Sequence, residues 1–148
     1  MCPSLGPAAF HRRRLGFPAP DAAAGRAGMS FVRRALAGWR LDTPAEAAAD
    51  AVLVAAELLA NAVDHGGGVR SVELELQGQR LRIRVTDANP LPPVLGEHHP
   101  EAAHGHGLFI VDRLCLRWGF RPTDSGKTVW ADVPLPRSAR RAGLVLPT

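Results

Sequence analysis

The sequence predicts an α+β fold, a two-layer sandwich in which helices cover one face of a mostly antiparallel sheet. Residues 72–76 and 81–85 both alternate apolar and polar side chains, as neighbouring strands with one covered face do. Residues 44–65 instead carry apolar side chains at helical spacing. Helices and strands do not alternate along the chain as they do in a parallel sheet, so antiparallel pairing is favoured.

The N-terminal part predicts a tail, a strand and a helix. Residues 1–9 are rich in proline, glycine and alanine and are expected to form a disordered tail. A short strand is expected within residues 11–19. Asp21 is the expected cap of a helix from Ala22 to about Trp39, because apolar side chains recur there at helical spacing.

A second helix has sharper boundary signals. Thr43 is its expected N-cap, Pro44 its first residue, and Glu46 completes a capping box. The glycines at 66–68 are expected to end it.

The two alternating runs predict a hairpin around a Gly78-Gln79 turn. One register then satisfies both faces, with apolar pairs on one and opposite charges on the other. The expected pairs are Leu76 with Leu81, Leu74 with Ile83, Val72 with Val85, Glu75 with Arg82, and Glu73 with Arg84.

The remainder predicts a long loop, a helix and two strands. Residues 90–104 hold four prolines and three histidines without periodicity, as a functional lid loop does. A helix is expected from residue 105 to 114, and strands at 116–120 and 127–133. Residues 136–148 are rich in arginine and proline and are expected to fray. The folded domain is therefore expected to span residues 10–135.

Composition disfavours several classes of protein. The net charge is +4, but the arginines are scattered and no aromatic residues interleave with them, so direct nucleic-acid binding is not favoured. With no signal core and no long apolar run, a cytoplasmic protein without membrane contact is expected. Cys2 and Cys115 suggest neither a disulfide nor a metal site. The histidines of residues 98–106 lack enough companion ligands to favour zinc.

One face of the second helix carries oxygen ligands. Glu57, Asn61 and Asp64 follow one another at spacings of four and three, which places them on the same side. Carboxylate and amide oxygens suit Mg²⁺, which binds few protein groups and keeps other positions for water and phosphate. A solvated polar helix face is the alternative.

Three later segments also suggest nucleotide chemistry. Asp87 follows an apolar strand, where a carboxylate accepts the exocyclic amine of adenine or simply forms a turn. Gly105-His106-Gly107-Leu108 precedes a helix, so backbone N–H groups there can approach a phosphate. Gly126-Lys127-Thr128 enters the last strand and places the Thr128 hydroxyl near a base, or forms only a turn with an edge lysine.

The order and spacing of these segments resemble the GHKL ATPase superfamily, which includes type II topoisomerase B subunits, histidine kinases and mismatch-repair ATPases. Residues 57–62 match its N box, residues 87–89 stand at its adenine-binding box, and residues 105–111 match its second glycine box. The small size and the stretches 118–119 and 126–130 are similar to its anti-sigma-factor serine kinase branch. The resemblance implies a Bergerat-type ATP-binding fold.

The resemblance also implies a role for each matched residue. Asn61 would coordinate Mg²⁺, Glu57 would act as general base, and Asp87 would bind the adenine amine. The remaining cofactor-binding positions are Gly105, His106, Gly107 and Leu108 at the phosphates and Thr128 at the adenine end.

The function implied is an ATP-dependent, Mg²⁺-using protein serine kinase that regulates transcription. It would phosphorylate a small anti-sigma factor antagonist and sequester a sigma factor. Whether the protein forms a homodimer is left open by the sequence. Residues 87–91 lack both glycines of the family's adenine box, and His106 stands where this branch often has arginine. Because imidazole is only fractionally charged near neutral pH, a catalytically weak or inactive ATP-binding regulatory module is the alternative.

Overall fold

The computed structural model describes residues 10–93 and 107–138. The expected N-terminal tail, residues 94–104 of the expected lid loop and the last ten residues lie outside these ranges. Three helices and five strands occupy these two ranges. In chain order they are β1 (Phe10–Gly16), α1 (Ala24–Gly38), α2 (Ala45–His65), β2 (Val69–Gln77), β3 (Arg80–Asp87), α3 (Gly107–Leu114), β4 (Arg117–Pro122) and β5 (Lys127–Pro134).

The strands form one sheet in the order β1-β2-β3-β5-β4, and every neighbouring pair is antiparallel. The helices cover one of its faces, with α1 against β1 and β2, and α2 across β2, β3 and β5. Leu81, Ile83 and Val85 of the central strand are buried beneath this layer. The predicted α+β class is confirmed.

The predicted hairpin register is also confirmed, residue by residue. Gly78 has a φ of +60°, a conformation that glycine adopts without the strain other residues incur. The ion pairs across the strands differ from the expectation in one respect. Arg84 Nη1 lies 2.8 Å from both Glu73 Oε1 and Glu75 Oε2, whereas Arg82 turns to Asp132 on β5. Strand β3 lies between β2 and β5. The sequence pattern of the β2–β3 hairpin contains no information on the side chains that β5 offers to Arg82.

Helix α2 places its apolar stripe in the core as predicted, with one exception. Its buried residues are Ala51, Val54, Ala55, Leu58, Leu59 and Ala62. Val63, expected on the same stripe, is 52% exposed because it lies about 40° beyond Leu59 on the helical wheel. Helix α1 comes close to α2, since a Cβ on Gly28 would lie 3.0 Å from Leu59 Cδ2.

The expected helix caps were wrong in detail. Thr43 Oγ1 donates to the Pro136 carbonyl oxygen at 2.6 Å, so its hydroxyl does not cap α2, which begins at Ala45 without a side-chain cap. Helix α1 begins at Ala24, two residues later than expected, and Asp21 Oδ1 accepts a hydrogen bond from the Ala23 N–H at 2.8 Å. A long-range partner replaces the capping bond of Thr43, whereas Asp21 makes a local bond within the turn before α1.

The strands β3, β4 and β5 are joined on the open face of the sheet by one buried carboxylate. Asp132 is 0% exposed and accepts hydrogen bonds from Arg82 Nε at 2.6 Å and Arg117 Nε at 2.8 Å. Burial by itself would raise the pKa of Asp132, but the bonds from Arg82 and Arg117 outweigh it and lower the pKa to about 2. Both guanidinium groups also lie over the ring of Trp130.

We expect Asp132→Asn to lower the free energy of unfolding by about 2 kcal/mol near neutral pH, since two arginines lose their shared carboxylate. The folded-state pKa lies below the ordinary value of 3.8, so this contribution is present above about pH 4 and disappears as the pH falls towards 2. Urea unfolding between pH 2 and 7 measures both effects. Asp124→Asn, in the exposed turn between β4 and β5, is the matched control. Equal pH profiles for the two variants would contradict the assignment.

Candidate functional site

The polar face of α2 carries two of the predicted site residues. Glu57 and Asn61 are both half-buried, and they lie one helical turn and about 6 Å apart along the axis. Asp64, which shares the face, is exposed and lies closer to the end of the helix. Helix α3 begins at Gly107 and packs against α2, with Val111 fully buried between the helices and the sheet.

The C-terminal end of α2 is held against the end of β3 by hydrogen bonds. The Gly66 carbonyl accepts from the Ala88 N–H at 2.8 Å, and the His65 carbonyl accepts from Asn89 Nδ2 at 2.8 Å. A Cβ on Gly66 would lie 2.5 Å from Asp87 Oδ2, which is too close for any other residue type without movement. The predicted N-box helix and the predicted adenine-box carboxylate are therefore in direct contact.

Asp87 lies at this junction in a buried ion pair. It is 1% exposed, and its Oδ2 lies 2.9 Å from Nζ of Lys127, which is 2% exposed. The ammonium donates a hydrogen bond to the Asn89 carbonyl at 3.0 Å, and Asp87 Oδ1 accepts from the Asn89 N–H at 2.9 Å. The contact at Oδ2 has an ion-pair distance but not the angles of a hydrogen bond. Within the described residues, Oδ2 therefore accepts no hydrogen bond.

The start of β5 completes this end of the sheet. Thr128 Oγ1 lies 2.8 Å from Oγ1 of Thr86, its partner in the register between β3 and β5. Gly126 is buried against the segment that follows β3. A Cβ at residue 126 would overlap the Asp87 carbonyl oxygen and come within 2.9 Å of Ala88 Cα. The backbone after β3 and the entry to β5 can approach this closely only because residue 126 has no side chain.

The structure thus brings together some of the predicted site residues and leaves others undescribed. Asp87 lies beside the end of α2, which carries Glu57 and Asn61. Thr128 is on the neighbouring strand, but it pairs with Thr86, and its hydroxyl lies on the opposite face of the sheet from the Asp87 carboxylate. Gly105 and His106 lie outside the described residues. Gly107 and Leu108 begin α3, and only their backbone is described.

Sequence reasoning missed three contributors, namely Gly66, Asn89 and Lys127. Gly66 was assigned only to a helix stop, and Asn89 was part of the adenine-box match without a role of its own. The available signal for Lys127 was its uniqueness, because it is the only lysine beside seventeen arginines. It was interpreted as an edge residue of a turn, whereas the structure buries it.

Residues 10–93 and 107–138 contain neither a membrane-spanning helix nor a cluster of metal ligands. No helix in these ranges is both long and apolar enough to cross a membrane. The same ranges contain no group of three or more histidine, cysteine or acidic side chains placed to hold a metal ion. The histidines at 98, 99, 104 and 106 fall outside them.

A five-stranded antiparallel sheet with one helical layer is the fold of a histidine kinase-like ATPase domain. Residues 20–133 match the family model described as the histidine kinase-like ATPase domain. The chain belongs to this family, because the match covers most of its length. The matched range includes every predicted site residue.

A solved structure with the same fold comes from Mycobacterium tuberculosis and contains the RsbU and RsbW domains of Rv1364c. It superposes with a TM-score of 0.62 and 21% sequence identity over 86% of this chain. The aligned part is 33% of that chain, so the present chain spans about a third of its length. No curated protein matches the sequence significantly.

We expect Gly126→Ala to lower the free energy of unfolding by about 3 kcal/mol, because the added methyl group overlaps the backbone at Asp87. Gly38→Ala is the matched control, since a Cβ there would lie 3.6 Å from Arg13 Nη2, an ordinary contact. That change replaces a glycine in the last turn of α1 and should be neutral or slightly stabilising. Urea unfolding compares the two, and similar losses in both would show that the junction is not tightly packed.

Proposed function

We propose that the chain is an ATP-binding protein serine kinase of the anti-sigma-factor type. The observation that carries this proposal is the junction between α2 and β3. Hydrogen bonds from Ala88 and Asn89 to the last carbonyls of α2 hold the Glu57 and Asn61 helix against the Asp87 strand end. The proposed phosphate-binding helix and the proposed base-binding strand end are therefore adjacent, as expected from the family resemblance.

The end of the site at Asp87 suits a purine base. A buried carboxylate oxygen without a hydrogen bond is a strong acceptor for an exocyclic amine. The proposal assigns Asp87 to the adenine amine. Thr128, which the family resemblance places at the adenine end, has its hydroxyl on the opposite face of the sheet and is not assigned a contact with the base. The glycine at 66 keeps a side chain out of this position.

The α2 face suits the phosphates and their metal ion. Asn61 offers a carboxamide oxygen, a ligand type that Mg²⁺ accepts alongside water and phosphate oxygens. The proposal assigns Gly105, His106, Gly107 and Leu108, at and before the start of α3, to the phosphates, because a helix N-terminus favours anions.

The proposal assigns two chemical tasks to the protein, which are removal of the serine proton and coordination of the metal ion. Bound Mg²⁺-ATP supplies the phosphoryl group and neutralises charge during its transfer. Glu57 orients the serine hydroxyl of the antagonist and takes its proton as the serine oxygen bonds to phosphorus and ADP leaves. Asn61, one turn along the same helix, fixes the distance between base and metal.

The proposed partners are a small antagonist protein that carries the target serine and a sigma factor that is held when the antagonist is modified. The fold shared with a structure containing an RsbW domain supports this choice. A homodimer is compatible with it. Regulation of a sigma factor implies a cytoplasmic protein.

A second candidate function is a nucleotide-binding regulatory module with little or no turnover. The observation that favours it is the ion pair between Asp87 and Lys127, which occupies the proposed base-binding carboxylate. The segment after Asp87 reads Ala88, Asn89 and Pro90 rather than the flexible glycines of the family pattern.

We expect Asn61→Ala to reduce the affinity for ATP at least about tenfold in the presence of Mg²⁺ and much less in its absence. Glu57→Gln should retain ATP affinity but slow phosphoserine formation about 100-fold or more, because it removes the base alone. Calorimetry with ATP and mass spectrometry of a cognate antagonist measure the two quantities. Asp64→Asn, on the same helix, is the matched control.

Normal ATP affinity without any phosphoserine would favour the regulatory module over the kinase. No nucleotide binding by the unmodified protein would contradict both candidate functions.

A further inference from the structure

Lys127 is exceptional among the basic residues of this chain. It is the only lysine, and among the described residues it is the only basic side chain that is buried. A buried ammonium needs acceptors to offset its lost hydration. Asp87 Oδ2 at 2.9 Å and the Asn89 carbonyl at 3.0 Å provide them.

The ammonium and a base amine compete for the same oxygen. Both are N–H donors, and the proposed function assigns Asp87 to the exocyclic amine of adenine. With Lys127 in place, Asp87 is 1% exposed, so its carboxylate is closed to a ligand from outside. Oδ1 is already used by the Asn89 N–H, which leaves Oδ2 as the oxygen in contention.

A lysine is suited to give up this position. Its ammonium is a point charge on a flexible four-carbon stem, so it can leave the carboxylate and recover full hydration at the surface. An arginine would hold a carboxylate through a planar fork that is harder to exchange. The seventeen arginines elsewhere in the sequence make the lysine at this one position distinctive.

We propose that Lys127 is an internal competitor that sets nucleotide affinity and base selectivity. In the ligand-free protein its ammonium holds Asp87, and on nucleotide binding the 6-amino group of adenine takes its place. The displacement uses part of the binding energy of the amine, so Lys127 weakens discrimination in favour of adenine. This inference rests on the proposed function, in which Asp87 recognises the base.

The decisive measurement is a ratio of affinities. ATP is compared with purine riboside 5′-triphosphate, which is the same molecule without the 6-amino group. We expect Lys127→Met to raise the preference for ATP at least about tenfold over that of the unmodified protein, because a charged hydrogen-bond partner becomes available to the amine. Loss of the lysine charge weakens the attraction to any triphosphate. Because both ligands carry the same triphosphate, this effect cancels in the ratio of their affinities.

Arg121→Met is the matched control. Arg121 is exposed and pairs with Thr128 in the register between β4 and β5, so its replacement removes a nearby positive charge without touching Asp87. Its affinity ratio should equal that of the unmodified protein. A rise of the ratio in both variants, or an unchanged or lower ratio in Lys127→Met, would overturn the competitor role.

A second measurement uses the unmodified protein and does not depend on how well the variant folds. Because Lys127 is the only lysine, amine acylation followed by peptide mass spectrometry reports on this side chain alone. We expect slow acylation without ligand, at least about tenfold faster acylation with saturating ATP, and little acceleration with the triphosphate that lacks the amine. Equal or slower acylation with ATP would overturn the proposal.

The two proposals fail in different ways. Binding of ATP with an unchanged ratio and an unreactive lysine would contradict only the competitor role. If the unmodified protein and Lys127→Met both bind no nucleotide, the proposed function and the competitor role are both wrong.

Discussion

The close approach of α2 to the end of β3 is the constraint on which the rest of the structure depends. It requires glycine at residue 66, because a Cβ there would meet the Asp87 side chain. The entry to β5 approaches the same strand end and requires glycine at residue 126, where a Cβ would overlap the Asp87 carbonyl oxygen. The same contact positions the helical layer over the sheet and forms the candidate site. The same small volume holds the buried charge of Asp87, which Lys127 stabilises at 2.9 Å.

The two buried carboxylates of the sheet illustrate opposite uses of an ion pair. Asp132 is held by two guanidinium groups that also stack over Trp130. The planar groups fit one another, so this ion pair is a stable structural contact. Asp87 is held by one lysine through a contact without hydrogen-bond angles at Oδ2. The first pair joins three strands, whereas the second lies where exchange with a ligand would be useful.

The sequence predicted the architecture well because periodicity and register are local properties. The hairpin of β2 and β3 was predicted pair by pair, since two faces agreed on one register. The cap at Thr43 and the pairing of Arg82 were not, because their partners depend on packing distant in sequence. In the site, motif order pointed to Asp87 and Thr128, but the register pairs Asp87 with Lys127 and leaves the Thr128 hydroxyl on the other face of the sheet, against Thr86. The burial of Lys127 could not be predicted, since a lysine beside a glycine turn is ordinarily solvated.

The contacts of residues 136–138 have a practical consequence for labelling. Thr43 binds the Pro136 carbonyl, and the Ser138 N–H donates to the Asp42 carbonyl at 3.1 Å, so the chain after β5 is fastened beside the connection between the first two helices. Strand β5 begins at Lys127 and leads away from the candidate site over about 23 Å. A fluorophore or affinity handle attached at residue 138 would therefore lie at the end of the sheet remote from Asp87 and from the proposed nucleotide site.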